Sequence, residues 1–84
     1  MKWIYVEWAD ALTNAKWFLK DEAEMWAKES DWIIKEVGVV IDETKEYLVI
    51  AQGWKPVDQW TDEQFVNLHK IPKGWIRKRK GLKL

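Results

Sequence analysis

The chain has no cysteine, one histidine and one serine among its 84 residues. The lack of cysteine excludes disulfides and thiolate metal sites and permits a reducing compartment. With His69 the sole imidazole, a metal centre of the His/Cys kind is almost excluded by count. A serine triad needs Ser, His and a carboxylate in concert, yet Ser30 falls at the end of an expected helix and His69 in an expected strand. No Walker sequence and no Gly-x-Gly-x-x-Gly loop is present. Carboxylate pairs such as Glu7 with Asp10 and Asp42 with Glu43 read as solvated turns, because catalytic carboxylates need burial to shift their pKa. No run approaches the ~18 consecutive apolar residues of a membrane span, and Met1-Lys2-Trp3 leads into a strand-like run rather than a signal peptide. The expectation is a cytoplasmic protein that is not an enzyme and takes no metal or cofactor.

What the chain has in surplus is tryptophan, eight residues of it. Each indole offers roughly 150–250 Å² of surface, and a chain this short buries only a little over ~60% of what it exposes unfolded. Hiding one ring is worth about 4–6 kcal/mol as an upper bound at ~25 cal/mol per Å². Core packing, a subunit contact and a flat ligand therefore compete for these side chains, and some are expected to line a groove or an interface.

Formal charge balances at fourteen of each sign, but the signs are segregated. Every acidic residue lies at or before Glu63, and residues 1–69 carry seven basic against fourteen acidic groups, a formal −7. The last fifteen residues carry Lys70, Lys73, Arg77, Lys78, Arg79, Lys80 and Lys83 with no acid. Such a terminus suits an anionic ligand, or the acidic part of a neighbouring subunit met head to tail.

Residues 2–8 are aromatic and β-branched and read as a first strand ended by Asp10. Trp8, Ala11, Leu12, Ala15, Phe18 and Leu19 also fall at helical spacing, but Thr13-Asn14 compete for backbone hydrogen bonds, so strand followed by loop is favoured. Asp21 with Glu24 has the form of a capping box opening a helix of about ten residues, within an insert over about 20–30. Trp32 to Ile41 is nearly all apolar, a strand buried on both faces or sharply bent, with Gly38 where it coils. A polar turn at 42–45 leads to a strand over 46–52, completing a hairpin. Gly53-Trp54-Lys55-Pro56 reads as a break. Thr61 with Gln64 has the form of a short helix cap, but Pro72 disfavours helix before it and favours a strand over 65–71. One 3₁₀ turn follows at 72–76, then a last strand over 77–82. The order predicts one mostly β (α+β) domain over 1–84, a five-stranded SH3-like or Sm-like small barrel with one short helix inserted after strand 1.

Four blocks of the chain resemble a family of small phage and prophage proteins: Val6-Glu7-Trp8-Ala9-Asp10-Ala11, residues 36–44 from Glu36 to Thr44, Tyr47-Leu48-Val49-Ile50-Ala51, and Ile71-Pro72-Lys73-Gly74-Trp75-Ile76. The stretch from Trp17 to Ser30 departs from that pattern. The resemblance implies an inhibitor of host defence acting in the host cytoplasm, of the oligomeric kind that sequesters the nucleotide signals of immune systems.

The residues expected to bind such a ligand are Trp8, Trp17, Trp54, His69, Lys73, Trp75 and Arg77. Pro72-Lys73-Gly74-Trp75 offers backbone N–H groups at the start of a 3₁₀ turn as a small anion nest. Lys73 and Arg77 neutralise a phosphate while Trp75 or Trp54 stacks on a base, a contact worth ~1–3 kcal/mol. The bland alternative for Trp75 is barrel-closing core. For the run Arg77-Lys78-Arg79-Lys80, strand alternation puts the arginines on one side and the lysines on the other. That halves a nucleic-acid patch, and an edge strand guarded by lysines is the bland reading. The expected partner is a small nucleotide-like ligand, with the protein a homo-oligomer. A gripped host protein and a weak nucleic-acid contact are the alternatives.

Overall fold

In a computed structural model the described residues are 1–10, 15–29 and 32–83. Five strands, β1 (Trp3–Asp10), β2 (Trp32–Glu43), β3 (Tyr47–Lys55), β4 (Gln64–Pro72) and β5 (Ile76–Leu82), form one antiparallel sheet in the order β4-β3-β2-β1-β5. A helix α1 (Lys20–Ala27) lies between β1 and β2, and a 3₁₀ turn (Lys73–Trp75) joins β4 to β5. The protein is thus mostly β with one short helix, as the sequence predicts.

Alternation explains which residues face inward. Ile4, Val6 and Trp8 of β1 stand opposite Gly38, Glu36 and Ile34 of β2, and opposite Gly81, Arg79 and Ile76 of β5. Leu48 and Ile50 of β3 stand opposite Ile71 and His69 of β4. Ile4, Val6, Leu48, Ile50 and Ile71 form the core at 0–1% exposure, with Trp8, Val40 and Ile76 packed on it. Each such aliphatic side chain contributes roughly 1.5–3 kcal/mol by leaving water. All five strands feed this one cluster although, among the described residues, no second layer packs on the sheet, so the sheet curls around its own inner face.

Gly38 permits the curl. A Cβ built there would lie 2.8 Å from the Ala51 carbonyl oxygen and 3.1 Å from two atoms of Ile50. The β2–β3 register shifts between Val40 and Asp42, a bulge that bends the long strand further. Beyond it Thr44 Oγ1 accepts hydrogen bonds from the backbone N–H groups of Glu46 and Tyr47, which makes the hairpin turn.

Several expectations are corrected. The helix starts at Lys20 with Leu19 as its N-cap and no side-chain cap, so Asp21 and Glu24 do not form a capping box; both sit inside the helix, where Asp21 still favours the positive helix end. The helix has eight residues and ends at Ala27, while Ser30 and Asp31 lie outside the described residues, as do 11–14 of the first loop. Residues 53–55 do not break the chain but continue β3, because Gly53 lets Val66 of β4 press close: an added Cβ would lie 2.5 Å from its Cγ1. Thr61 caps no helix; Asp58 Oδ1 accepts from the N–H groups of Trp60 and Thr61 in a tight turn, and these bonds lower the Asp58 pKa.

No tryptophan is buried. Trp17 is 99% exposed, Trp60 81% and Trp32 63%, and Trp3, Trp8 and Trp26 are half-buried. The shortage of interior expected from length and composition is what the structure has.

Candidate functional site

The chemistry gathers where the 3₁₀ turn crosses the end of β1. Trp8 and Ile76 are partners in register, and the next pair is Glu7 with Lys78, so Arg77 is an extra residue on β5, a bulge. The bulge takes Arg77 out of the pairing, while Lys78, Arg79 and Lys80 pair in turn with Glu7, Val6 and Tyr5 and keep the alternation expected for the basic run. Lys78 comes to line, with Lys73, Ile76, Arg77 and Arg79, a single depression of about 320 Å³. Arg77 donates to the Gly74 carbonyl at 3.2 Å, which holds its guanidinium against the turn.

One carboxylate orders this cationic corner. Glu43, at the end of β2, accepts a bidentate pair from Arg79 at 3.0 and 3.1 Å and lies 2.8 Å from Lys73 Nζ. The Arg79 hydrogen bonds first, and those of Lys73 second, bring the Glu43 pKa down to about 2. The Lys73 backbone N–H also donates to the Glu46 carbonyl at 2.8 Å. The 3₁₀ turn, β5 and the β2–β3 turn are therefore tied together: Glu43 pairs with two cations, Lys73 and Arg79, and Arg77 and Lys78 line the same depression as these two. That arrangement leaves a net positive charge for an anion.

Beside the cations stand two of the predicted indoles. Trp8 and Trp75 stack with ring centroids 6.3 Å apart and planes 20° from parallel. Trp75 keeps 39% of its surface in water. The Trp8 Nε1–H is buried with no hydrogen-bond partner, a costly state for a polar group and one that an acceptor atom would relieve. Trp8 of β1 also lines a depression of about 290 Å³ with Leu68, His69, Lys70 and Ile71 of β4. β1 and β4 are not sheet neighbours, β3 and β2 lying between them, so Trp8 reaches this depression across the face of the sheet.

His69 is held in place from below. Its Nδ1 meets both oxygens of Glu36 at 2.8 and 2.9 Å, and Gln52 Nε2 donates to the same carboxylate at 3.4 Å. A carboxylate only accepts, so Nδ1 carries the proton and Nε2 is left for the depression.

Of the seven predicted residues, Lys73 and Arg77 line the cationic depression, Trp8 and His69 line the separate one facing β4, and Trp75 stacks on Trp8. Trp54 does not join them; it lines a separate hollow of about 500 Å³ with Gly53, Lys55, Gln64, Phe65 and Val66, and its Nε1 donates to Glu63 at 2.9 Å. Trp17 stands in solvent ahead of α1. Sequence reasoning missed Lys78, Arg79 and Glu43, which the bulge and the hairpin bring in, and Glu36 and Gln52 behind His69. The one signal for Glu36 was a lone acid inside an apolar strand run.

Among the described residues no three His, Cys, Asp or Glu side chains converge as metal ligands, and no helix is long and apolar enough to cross a membrane. No family model matches the chain, and no curated protein or solved structure matches it.

Proposed function

We propose that the protein is a non-catalytic binding protein whose corner at Trp8, Trp75 and the basic start of β5 takes a small, flat, anionic ligand. A nucleotide-derived signal, a cyclic nucleotide or an ADP-ribose derivative, has the required chemistry: a ring to lie on Trp75 and phosphates for Lys73, Arg77 and Lys78. In this reading the sheet is an SH3-like or Sm-like small barrel with its binding corner at the seam between β4 and β5. The resemblance to phage proteins fits a sponge that removes a host immune signal in the cytoplasm and so blocks antiphage defence.

The carrying observation is the Trp8–Trp75 stack, with Trp75 on the same 3₁₀ turn as Lys73, which lines the cationic depression with Arg77, Lys78 and Arg79. Stacking contributes ~1–3 kcal/mol per ring and a charged hydrogen bond about 1.5–3 kcal/mol, so one ring and two cations contribute roughly 4–9 kcal/mol before association costs, and micromolar affinity, about 8 kcal/mol net, requires further contacts from the site. A thermal-shift panel of cyclic dinucleotides, cyclic ADP-ribose forms and mononucleotides, run beside single-stranded and duplex DNA, tests it. Stabilisation by one small-nucleotide class is expected. An unmoved melting point with every small nucleotide at millimolar concentration ends this reading.

A second reading, a module that grips a host defence protein, is favoured by the exposure of Trp17, Trp32 and Trp60 away from the corner. A nucleic-acid function has less support, because Arg79 is engaged by Glu43 and no aromatic platform follows β5.

A further inference from the structure

Helix α1 buries none of its residues, and no side chain caps its start. Eight residues do not hold a helix in water by backbone bonds alone, since isolated helices are marginal below ~12–15 residues. The chain's dimensions agree that α1 stands off the sheet. The longest extent is 61 Å and the radius of gyration 17.4 Å, whereas about 12 Å is usual for a compact chain of this length.

The segment is also rich in uncovered apolar surface. Trp17 is 99% exposed, Leu19 69%, Met25 71% and Trp32 63%. Summed over the sides of the segment, these side chains leave on the order of 600 Å² of mostly apolar area in water, as much as the ~300–600 Å² of the largest single patch on a typical monomer. That area approaches the ~800 Å² each partner gives to a standard interface. At 100° per residue Leu19 and Trp26 share one side of α1 while Met25 points well away. A single flat contact with its own sheet would not cover both.

We propose that a second copy of this chain covers α1, with the helix and its flanking Trp17 and Trp32 seated along β5 of the partner in a reciprocal, two-fold exchange. Charge selects this occupant. α1 carries Asp21, Glu22 and Glu24 against Lys20, all four exposed. β5 and the residue after it carry Arg77, Lys78, Arg79, Lys80 and Lys83 with no acid. β5 is also an edge strand, with β1 on one side and no strand on the other among the described residues, so it offers an open ledge. A two-fold exchange covers both arms and both edges and closes the assembly at two chains.

Native mass spectrometry with size-exclusion light scattering on the full chain reads the assembly directly. A dimer is expected, converted to monomer by Trp17→Ala with Met25→Lys while far-UV circular dichroism of the sheet is kept. Glu22→Lys with Glu24→Lys is expected to give monomer, as is Lys78→Glu with Lys80→Glu; the four changes together restore the dimer. A wild-type chain that is monomeric through the tens-of-micromolar range overturns the proposal, as does a dimer untouched by the arm variants. Failure of the combined charge reversal to restore association overturns β5 as the seat. None of these readouts depends on a small ligand, so they stand apart from the nucleotide titrations.

Discussion

The Nδ1 atom of His69 lies 2.8 Å from Oε1 and 2.9 Å from Oε2 of Glu36, joining β4 to β2 across the intervening β3. Among the described residues Glu36 is the one buried charged side chain, opposite Val6 on the inner face. A carboxylate in that position persists only if bonded, and the bond in turn fixes the imidazole at the edge of the depression it shares with Trp8.

His69→Ala leaves Glu36 with only the 3.4 Å bond from Gln52. The expected loss is about 1–3 kcal/mol of stability, read as a lower urea midpoint at unchanged slope. Replacing both partners by apolar residues, Glu36→Met with His69→Leu, is expected to recover most of it. A His69→Ala protein as stable as wild type would show that the pair does not support the fold.

Glu43 gives a pH signature. Its pKa is lowered in the folded chain from 4.5 to about 2, first by the Arg79 hydrogen bonds and then by those of Lys73. A lowered folded pKa stabilises when the group is ionised, so the contribution is complete above pH 4.5 and fades as pH falls toward about 2. The melting-temperature difference between wild type and Glu43→Gln is expected to be positive near neutrality and to shrink across that window. Asp58 shifts in the same direction but is common to both proteins. A difference that stays constant with pH contradicts the clasp.

Gly38 separates curl from simple flexibility. Gly38→Ala sets a Cβ 2.8 Å from the Ala51 carbonyl oxygen, and overpacking of this kind costs roughly 1–3 kcal/mol. Gly74→Ala and Gly81→Ala meet nothing within 4 Å and are expected to move stability by no more than about 0.5 kcal/mol. Equal effects at all three positions, measured by chemical denaturation, would remove the close approach from the account.

The sequence was legible where local chemistry decides the outcome. The β2–β3 hairpin followed from its apolar runs around a polar turn, and the fourth strand from Pro72 barring helix before it. The 3₁₀ turn followed from Pro72 with Gly74. It misled where a distant strand decides. Gly53 looked like punctuation, yet its small size serves Val66 on β4, a contact made only after pairing. Arg77 looked like one of an alternating set, but a bulge opposite Trp8 takes it out of the pairing while Lys78, Arg79 and Lys80 go on alternating. Trp8 and Trp75 lie 67 positions apart and nothing local pairs them; the five-strand order puts the end of β1 under the 3₁₀ turn. The capping box failed because the helix begins one residue earlier than Asp21, with Leu19 in the cap position.

Isothermal titration of the full chain with the nucleotide class that raises its melting point, repeated with Trp75→Ala and with Lys73→Ala plus Arg77→Ala, bears most directly on the binding corner. The expected result is micromolar affinity that falls by about 5- to 150-fold without the exposed indole, the equivalent of ~1–3 kcal/mol of stacking, and that weakens further with salt once the cations are kept. Affinity indifferent to both sets of changes, or heat that follows Trp54→Ala instead, would place the ligand elsewhere and contradict the account.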